Sequence, residues 1–203
     1  MLVDVFPTPI YLEKLTRYDK TSMIDEINSV YDVDNKSFFG DSKNTAQIHN
    51  NDKFEWLNNQ VKEHTRNYLR QSGYVDDVNI VVQKSWPIIL NSGGSVQLHK
   101  HLNSHLSCVF YLQTDTSFLT FYRQADYMQT LPIQTKVDSQ YNSCEISVGV
   151  EEGVFILFPS SIPHKVDNYN KDIVRYSISY DIMLTTNEPT ENMVLSPTYW
   201  KTL

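Results

Sequence analysis

From Val78 onward the chain breaks into short runs of branched and aromatic residues separated by turn signals, and this pattern limits the fold more than any other feature. The runs are Ile80-Val81-Val82, Trp86 to Leu90, Leu106 to Leu112, Phe118 to Tyr122, Val154 to Phe158 and Val174 to Ile182. Asn91-Ser92-Gly93-Gly94 and Glu151-Glu152-Gly153 punctuate them, as glycine-rich turns do between strands. Upstream the period is helical. Ser22 to Tyr31 carries a stripe of Met23, Ile24, Ile27 and Val30. A second helix starts at Asn51-Asp52, where Asp52 and Glu55 resemble a capping box. Phe54, Leu57, Val61 and Tyr68 follow at helical spacing and Gly73 offers a stop. His64 beside that stripe and His49 in a polar loop read as packed or half-exposed side chains. Val5 to Tyr11, with two prolines, reads as an edge strand or extended segment. The expected class is mainly β (α+β), a barrel or sandwich with N-terminal helices packed on one sheet. The expected organisation is a single domain, 1–203: a helical third 1–77, a β core 78–184 and a polar tail 185–203 docked through Tyr199-Trp200.

Composition excludes some partners. A formal net charge of −7 without any basic run argues against nucleic acid and against an anionic membrane surface. No apolar segment approaches the roughly 20 residues of a membrane helix, and no secretory leader is legible at the N-terminus. Two cysteines, Cys108 and Cys144, do not make a disulfide framework, and Cys108 reads as a buried free thiol. The expected setting is soluble, reducing and cytoplasmic.

Chemistry concentrates in a few segments. Of six histidines, His99, His101 and His105 fall in Gln97–His105, and His164 follows Phe158-Pro159-Ser160-Ser161-Ile162-Pro163. Strand alternation puts Gln97, His99 and His101 on one face. Two such imidazoles can converge on one ion, although exposed histidines on a sheet give the same spacing. Neutral imidazole suits iron, zinc, copper and nickel alike. After the Asn103-Ser104 turn, Ser107, Val109 and Tyr111 share a face; if that strand doubles back beside the first, Ser107 and Tyr111 line the same cavity. Arg175, Ser177 and Ser179 alternate inward against Tyr176, Ile178 and Tyr180. An arginine inside an apolar strand is costly without an anion, and no acid nearby in sequence supplies one. A bound carboxylate suits its bidentate fork.

These segments resemble the iron(II)- and 2-oxoglutarate-dependent oxygenases, specifically an oxygenase family found in T4-like phages and marine bacteria. The resemblance rests on Phe6 to Tyr11, His99 to Leu112, Gly153 through Phe158-Pro159-Ser160 to His164, and Arg175 to Ser179, in that order along the chain. The eleven residues from His164 to Arg175 also fit. It implies a double-stranded β-helix, a jelly-roll or cupin-like barrel with iron at its open end. It further implies His99, His101 and His164 as ligands of Fe(II), and Arg175, with Ser177 and Tyr111, as the grip on the distal carboxylate of 2-oxoglutarate. The activity implied is that of a dioxygenase, using O2 to couple decarboxylation of 2-oxoglutarate to C–H oxidation of a small-molecule or peptide substrate. If the chain is phage-encoded, the setting is the host cytoplasm.

The chain departs from the pattern at three places. His101 stands where the superfamily usually has Asp or Glu, and no acid occurs between His99 and Thr114. Three neutral imidazoles leave a ferrous ion its full charge, which the 2-oxoglutarate dianion neutralises, so co-substrate binding is better assured than turnover. Cys108 and Leu102 replace a customary glycine and proline. The rival readings are a cupin-like three-histidine metalloprotein without 2-oxoglutarate, and a non-catalytic binding or structural barrel. The segment Arg123 to Ser147, containing Tyr127 and Tyr141, is the expected lid or substrate reader.

Overall fold

A computed structural model describes residues 4, 7–30, 47–123, 134–187 and 195–203. Among the described residues nine strands form two antiparallel sheets: β1 Tyr11–Lys14, β2 Asn79–Leu90, β3 Gly94–His99, β4 Leu106–Gln113, β5 Ser117–Tyr122, β6 Glu145–Val150, β7 Val154–Pro159, β8 His164–Tyr169 and β9 Arg175–Thr185. The larger sheet has the order β1-β7-β4-β9-β2 and the smaller β3-β8-β5-β6. This is the double-stranded β-helix that the strand pattern and the resemblance led us to expect. Among the described residues no helix is long and apolar enough to cross a membrane.

The larger sheet separates two apolar layers. On its outer face Cys108, Phe110, Leu112, Phe155, Leu157, Ile178, Tyr180 and Ile182 pack against helices α1 (Lys20–Val30) and α2 (Glu55–Gln71). On its inner face Val109, Tyr111, Ile156 and Phe158 meet Val96, Leu119, Phe121 and Val166 of the smaller sheet. Strict alternation along β4, β7 and β9 feeds both layers at once, which is why these central strands read as continuous apolar runs.

Helix α2 buries Leu57, Val61, His64, Thr65, Tyr68 and Leu69, a stripe at helical spacing. Its N-cap is Phe54, which makes no side-chain cap; Asn51 instead caps the preceding 3-10 turn Asp52–Phe54, accepting from the Lys53 N–H, so the capping box expected from Asp52 and Glu55 does not form. The expected stop does. Gly73 takes φ +75°, with its N–H bonded to Arg70 O and that of Tyr74 to Leu69 O, a Schellman closure. His64 is packed, 2.9 Å from the Tyr11 hydroxyl, and His49 bonds Ser85. Cys108 is buried and free, and burial pushes its thiol well up.

Several expectations need correction. The runs at Ile80 and Trp86 are one strand, interrupted by a register shift between Val82 and Lys84. The shift reverses the alternation: Ile80 and Val82 pack on the helical side, whereas Ile88 and Leu90 pack between the sheets. β3 and β4 do not lie side by side; β3 pairs with β8, and β4 with β7 and β9. Glu145–Val150, placed partly in the presumed lid, is strand β6 on β5, and Tyr127 lies outside the described residues. Strand β1 begins only at Tyr11, with Val5 and Phe6 outside the described residues. Trp200 is exposed rather than docked.

Candidate metal and co-substrate site

The pairing register of three strands builds the floor of a cavity of about 250 Å³ between the sheets. Antiparallel neighbours share a face, and the partners fall in rows across β4, β9 and β2. Tyr111, Ser177 and Ile88 form one row, Val109, Ser179 and Trp86 the next, and Ser107, Asp181 and Lys84 the third. The rest of the lining includes Val96, Leu119, Phe158 and Val166.

At one end stand three imidazoles. β3 ends at His99, directly opposite His164 at the start of β8. His101 lies just beyond the strand and not on it, as alternation alone suggested, and its backbone N–H is tied to Ser160 O at 3.0 Å. The ligand atoms of His99, His101 and His164 lie within 4.8 Å of one another. Each ring is oriented by an acceptor on Nδ1: Gln97 O at 2.7 Å for His99, Ile162 O at 2.9 Å for His164, and the Asp181 carboxylate at 2.7 Å for His101. An acceptor there requires an Nδ1–H, so in the neutral form of each ring the Nε2 lone pair is left for an ion. Burial, with the neighbouring histidines, pushes His164 down to about 3; burial also lowers His99. Both rings are therefore neutral near neutral pH, the form able to ligate an ion. His105 is not in this group; its Nδ1 accepts from the Leu184 N–H.

Arg175, the first residue of β9, is fully buried in the same cavity wall. Its guanidinium lies over the Tyr111 ring, 4.8 Å from the centroid, and one terminal nitrogen donates to Ser117 Oγ. Arg175 Nε, the Tyr111 hydroxyl and Ser177 Oγ are buried and have no hydrogen-bond partner among the described residues. Leaving such donors unmatched is unfavourable. Three orphaned donors, one on the buried cation itself and two beside it, fit a carboxylate end, just as three Nε2 lone pairs fit a divalent metal.

Residues 84–181 match the family model described as "Putative 2OG-Fe(II) oxygenase". Over that span the β core is similar to that family. Two structures of HygX from Streptomyces hygroscopicus, one with iron bound and one with nickel and 2-oxoglutarate bound, share the oxygenase core's architecture. Each match covers 93% of this chain and 90% of that one at 10% identity, with TM-scores of 0.51 and 0.55. At that identity the likeness is one of fold. Matches to a 2OG-Fe(II) oxygenase family oxidoreductase from Burkholderia pseudomallei and a prolyl-4-hydroxylase from Pseudomonas putida are partial. They cover 52% and 49% of this chain, at 11% and 16% identity and TM-scores of 0.40 and 0.35. The chain spans only 45% and 50% of those two proteins. No curated protein matches the sequence.

Three site residues escaped the sequence reading. Asp181 is the next inward step of the Arg175-Ser177-Ser179 alternation, so carrying that alternation one residue pair further finds it. Trp86 stacks on His101 at 5.7 Å between ring centroids, and Lys84 Nζ lies 4.7 Å from the Trp86 centroid. The β2 bulge hid both from a reading based on alternation.

Proposed function

We propose that the chain is an iron(II)- and 2-oxoglutarate-dependent dioxygenase that hydroxylates a small-molecule or peptide substrate. His99, His101 and His164 would hold the metal through Nε2. Arg175 would take the distal carboxylate of 2-oxoglutarate, assisted by Ser177 and Tyr111. Bound Fe(II), with O2, supplies the oxidising chemistry that couples decarboxylation of 2-oxoglutarate to insertion of oxygen into a C–H bond.

The protein's own part is positional. The Arg175 fork matches a carboxylate in bidentate fashion, and the Tyr111 and Ser177 hydroxyls supply further donors beside it. Val109, Leu119, Phe158 and Val166 make the walls apolar, which keeps bulk water from competing for those donors. The three Nδ1 acceptors hold the imidazoles in the ligating tautomer before any ion arrives. The observation carrying this reading is the buried, anion-free Arg175 with orphaned neighbours, in the same cavity as a three-imidazole cluster. A three-histidine metalloprotein without 2-oxoglutarate gives Arg175 no anion to hold.

The test is co-substrate turnover. Fe(II)-loaded protein in air, with ascorbate supplying the two electrons a missing substrate would give, should convert 2-oxoglutarate slowly to succinate and CO2, and Arg175→Ala should abolish this. Equal succinate production by the variant and the wild type would refute the role of Arg175. None from a protein that binds Fe(II) would leave the metal centre and remove the oxygenase.

A further inference from the structure

Asp181 stands against the ligand cluster without joining it. Among the described residues the grouping of metal-competent side chains holds the three histidines alone, yet an Asp181 carboxylate oxygen is 2.7 Å from His101 Nδ1. The aspartate is 7% exposed, so its carboxylate depends on protein donors. A chain of hydroxyls supplies them. Ser104 Oγ donates to Ser160 Oγ at 2.9 Å, Ser160 and Ser107 share a bond of 2.8 Å, and Ser107 Oγ donates to Asp181 Oδ1 at 2.8 Å. Each hydroxyl has one proton to give, so a chain running in this direction must end on a pure acceptor, which a carboxylate is.

We propose that Asp181 is the positioning carboxylate of this centre, acting on the metal through His101. The inference rests on the iron-site reading above. The superfamily's usual carboxylate ligand is replaced here by His101, and Asp181 returns a carboxylate one hydrogen bond further out. It fixes the His101 tautomer with Nε2 toward the metal and increases that ligand's donor strength, as carboxylate–histidine–metal pairs do. The hydroxyl chain makes this arrangement rigid. Ser160 lies in the turn after β7 that leads to His164, Ser107 lies on β4 and Asp181 on β9. One network thus ties His101 to two strands and to the turn between β7 and β8. Lys84, opposite Asp181 on β2, and the Trp86 ring against His101 complete its surroundings.

Anaerobic titration of Fe(II) against a chromophoric chelator, on the full chain, tests this with Asp181→Asn and Ser107→Ala. The asparagine keeps the shape and loses the anionic acceptor. Fe(II) affinity should fall roughly 10- to 100-fold in Asp181→Asn and less in Ser107→Ala. At saturating Co(II) the ligand-field bands of Asp181→Asn should also shift, which a merely structural role would not cause. Unchanged affinity and unchanged bands in a folded Asp181→Asn protein would overturn the inference and leave the iron-site reading standing. A folded wild type that binds no Fe(II) would overturn both. Should Asp181→Asn fail to fold, long-range proton–nitrogen spectra of the Zn(II)-loaded wild type decide. His101 bound through Nε2 with a protonated Nδ1 supports the inference, and ligation through Nδ1 overturns it.

Discussion

Tyr111 and Ser177 are direct partners across the β4–β9 pair, and each buries a hydroxyl with no hydrogen-bond partner among the described residues. The Arg175 guanidinium, two residues before Ser177 on β9, lies over the Tyr111 ring. A buried cation with unmatched donors around it is a destabilised arrangement, and burial itself works against the charged form of Arg175.

A ligand that supplies the missing anion should therefore stabilise the fold. At 100 times its dissociation constant, 2-oxoglutarate is expected to add about 2.7 kcal/mol. For a chain of this size that is a rise in Tm of roughly 5–10 °C, measurable by calorimetric scanning. Arg175→Ala should show no rise. Tyr111→Phe should retain most of it, losing one hydrogen bond of about 1 kcal/mol.

Trp86 stacks on His101 at an interplanar angle of 29°, whereas Trp56 packs with Tyr18 and Phe110 on the helical side. Binding of Co(II) should therefore quench tryptophan emission mainly through Trp86. Trp86→Phe is expected to remove most of the quenching. Undiminished quenching in that variant would put the metal elsewhere.

Gly153 tests the scaffold apart from the site. It takes φ +82°, and a Cβ there would sit 2.9 Å from the Leu15 carbonyl oxygen. Its carbonyl also accepts from the Leu15 N–H and its N–H donates to Tyr111 O. Gly153→Ala should cost about 1–3 kcal/mol, read as a lower urea midpoint, with Fe(II) affinity unchanged.

His64 gives the stability a pH dependence. Burial lowers its pKa below the ordinary histidine value, so the unfolded chain takes up a proton before the folded one does. Its contribution is complete above about pH 6.5 and is lost as pH falls from there toward the depressed folded value. His64→Phe should flatten the slope of stability over that acid range, measured by denaturant titration at several pH values.

Much of this was legible in the sequence, for identifiable physical reasons. Central strands such as β4, β7 and β9 are buried on both faces, so they announce themselves as apolar runs. The alternation on β9 then places Arg175 and Ser177 together. Strands β6 and β8 were not legible, because Glu145–Val150 and His164–Tyr169 each keep exposed residues that dilute their apolar content. The β2 bulge changes which face Trp86 and Lys84 occupy, and one extra residue leaves no compositional trace. Asp181 was passed over because its partner, His101, is eighty residues away in sequence. Only the folded barrel, which holds His101 just past β3 against Ser160 and places Asp181 on β9, brings them within hydrogen-bonding distance.

The central claim is that one cavity holds a three-histidine metal centre and an arginine made for the far end of 2-oxoglutarate. Anaerobic calorimetric titration of 2-oxoglutarate into the Fe(II)-loaded protein tests it most directly. The account predicts one-to-one binding that is lost in Arg175→Ala while Fe(II) remains bound. No binding to the wild type, or equal binding to the variant, would contradict it.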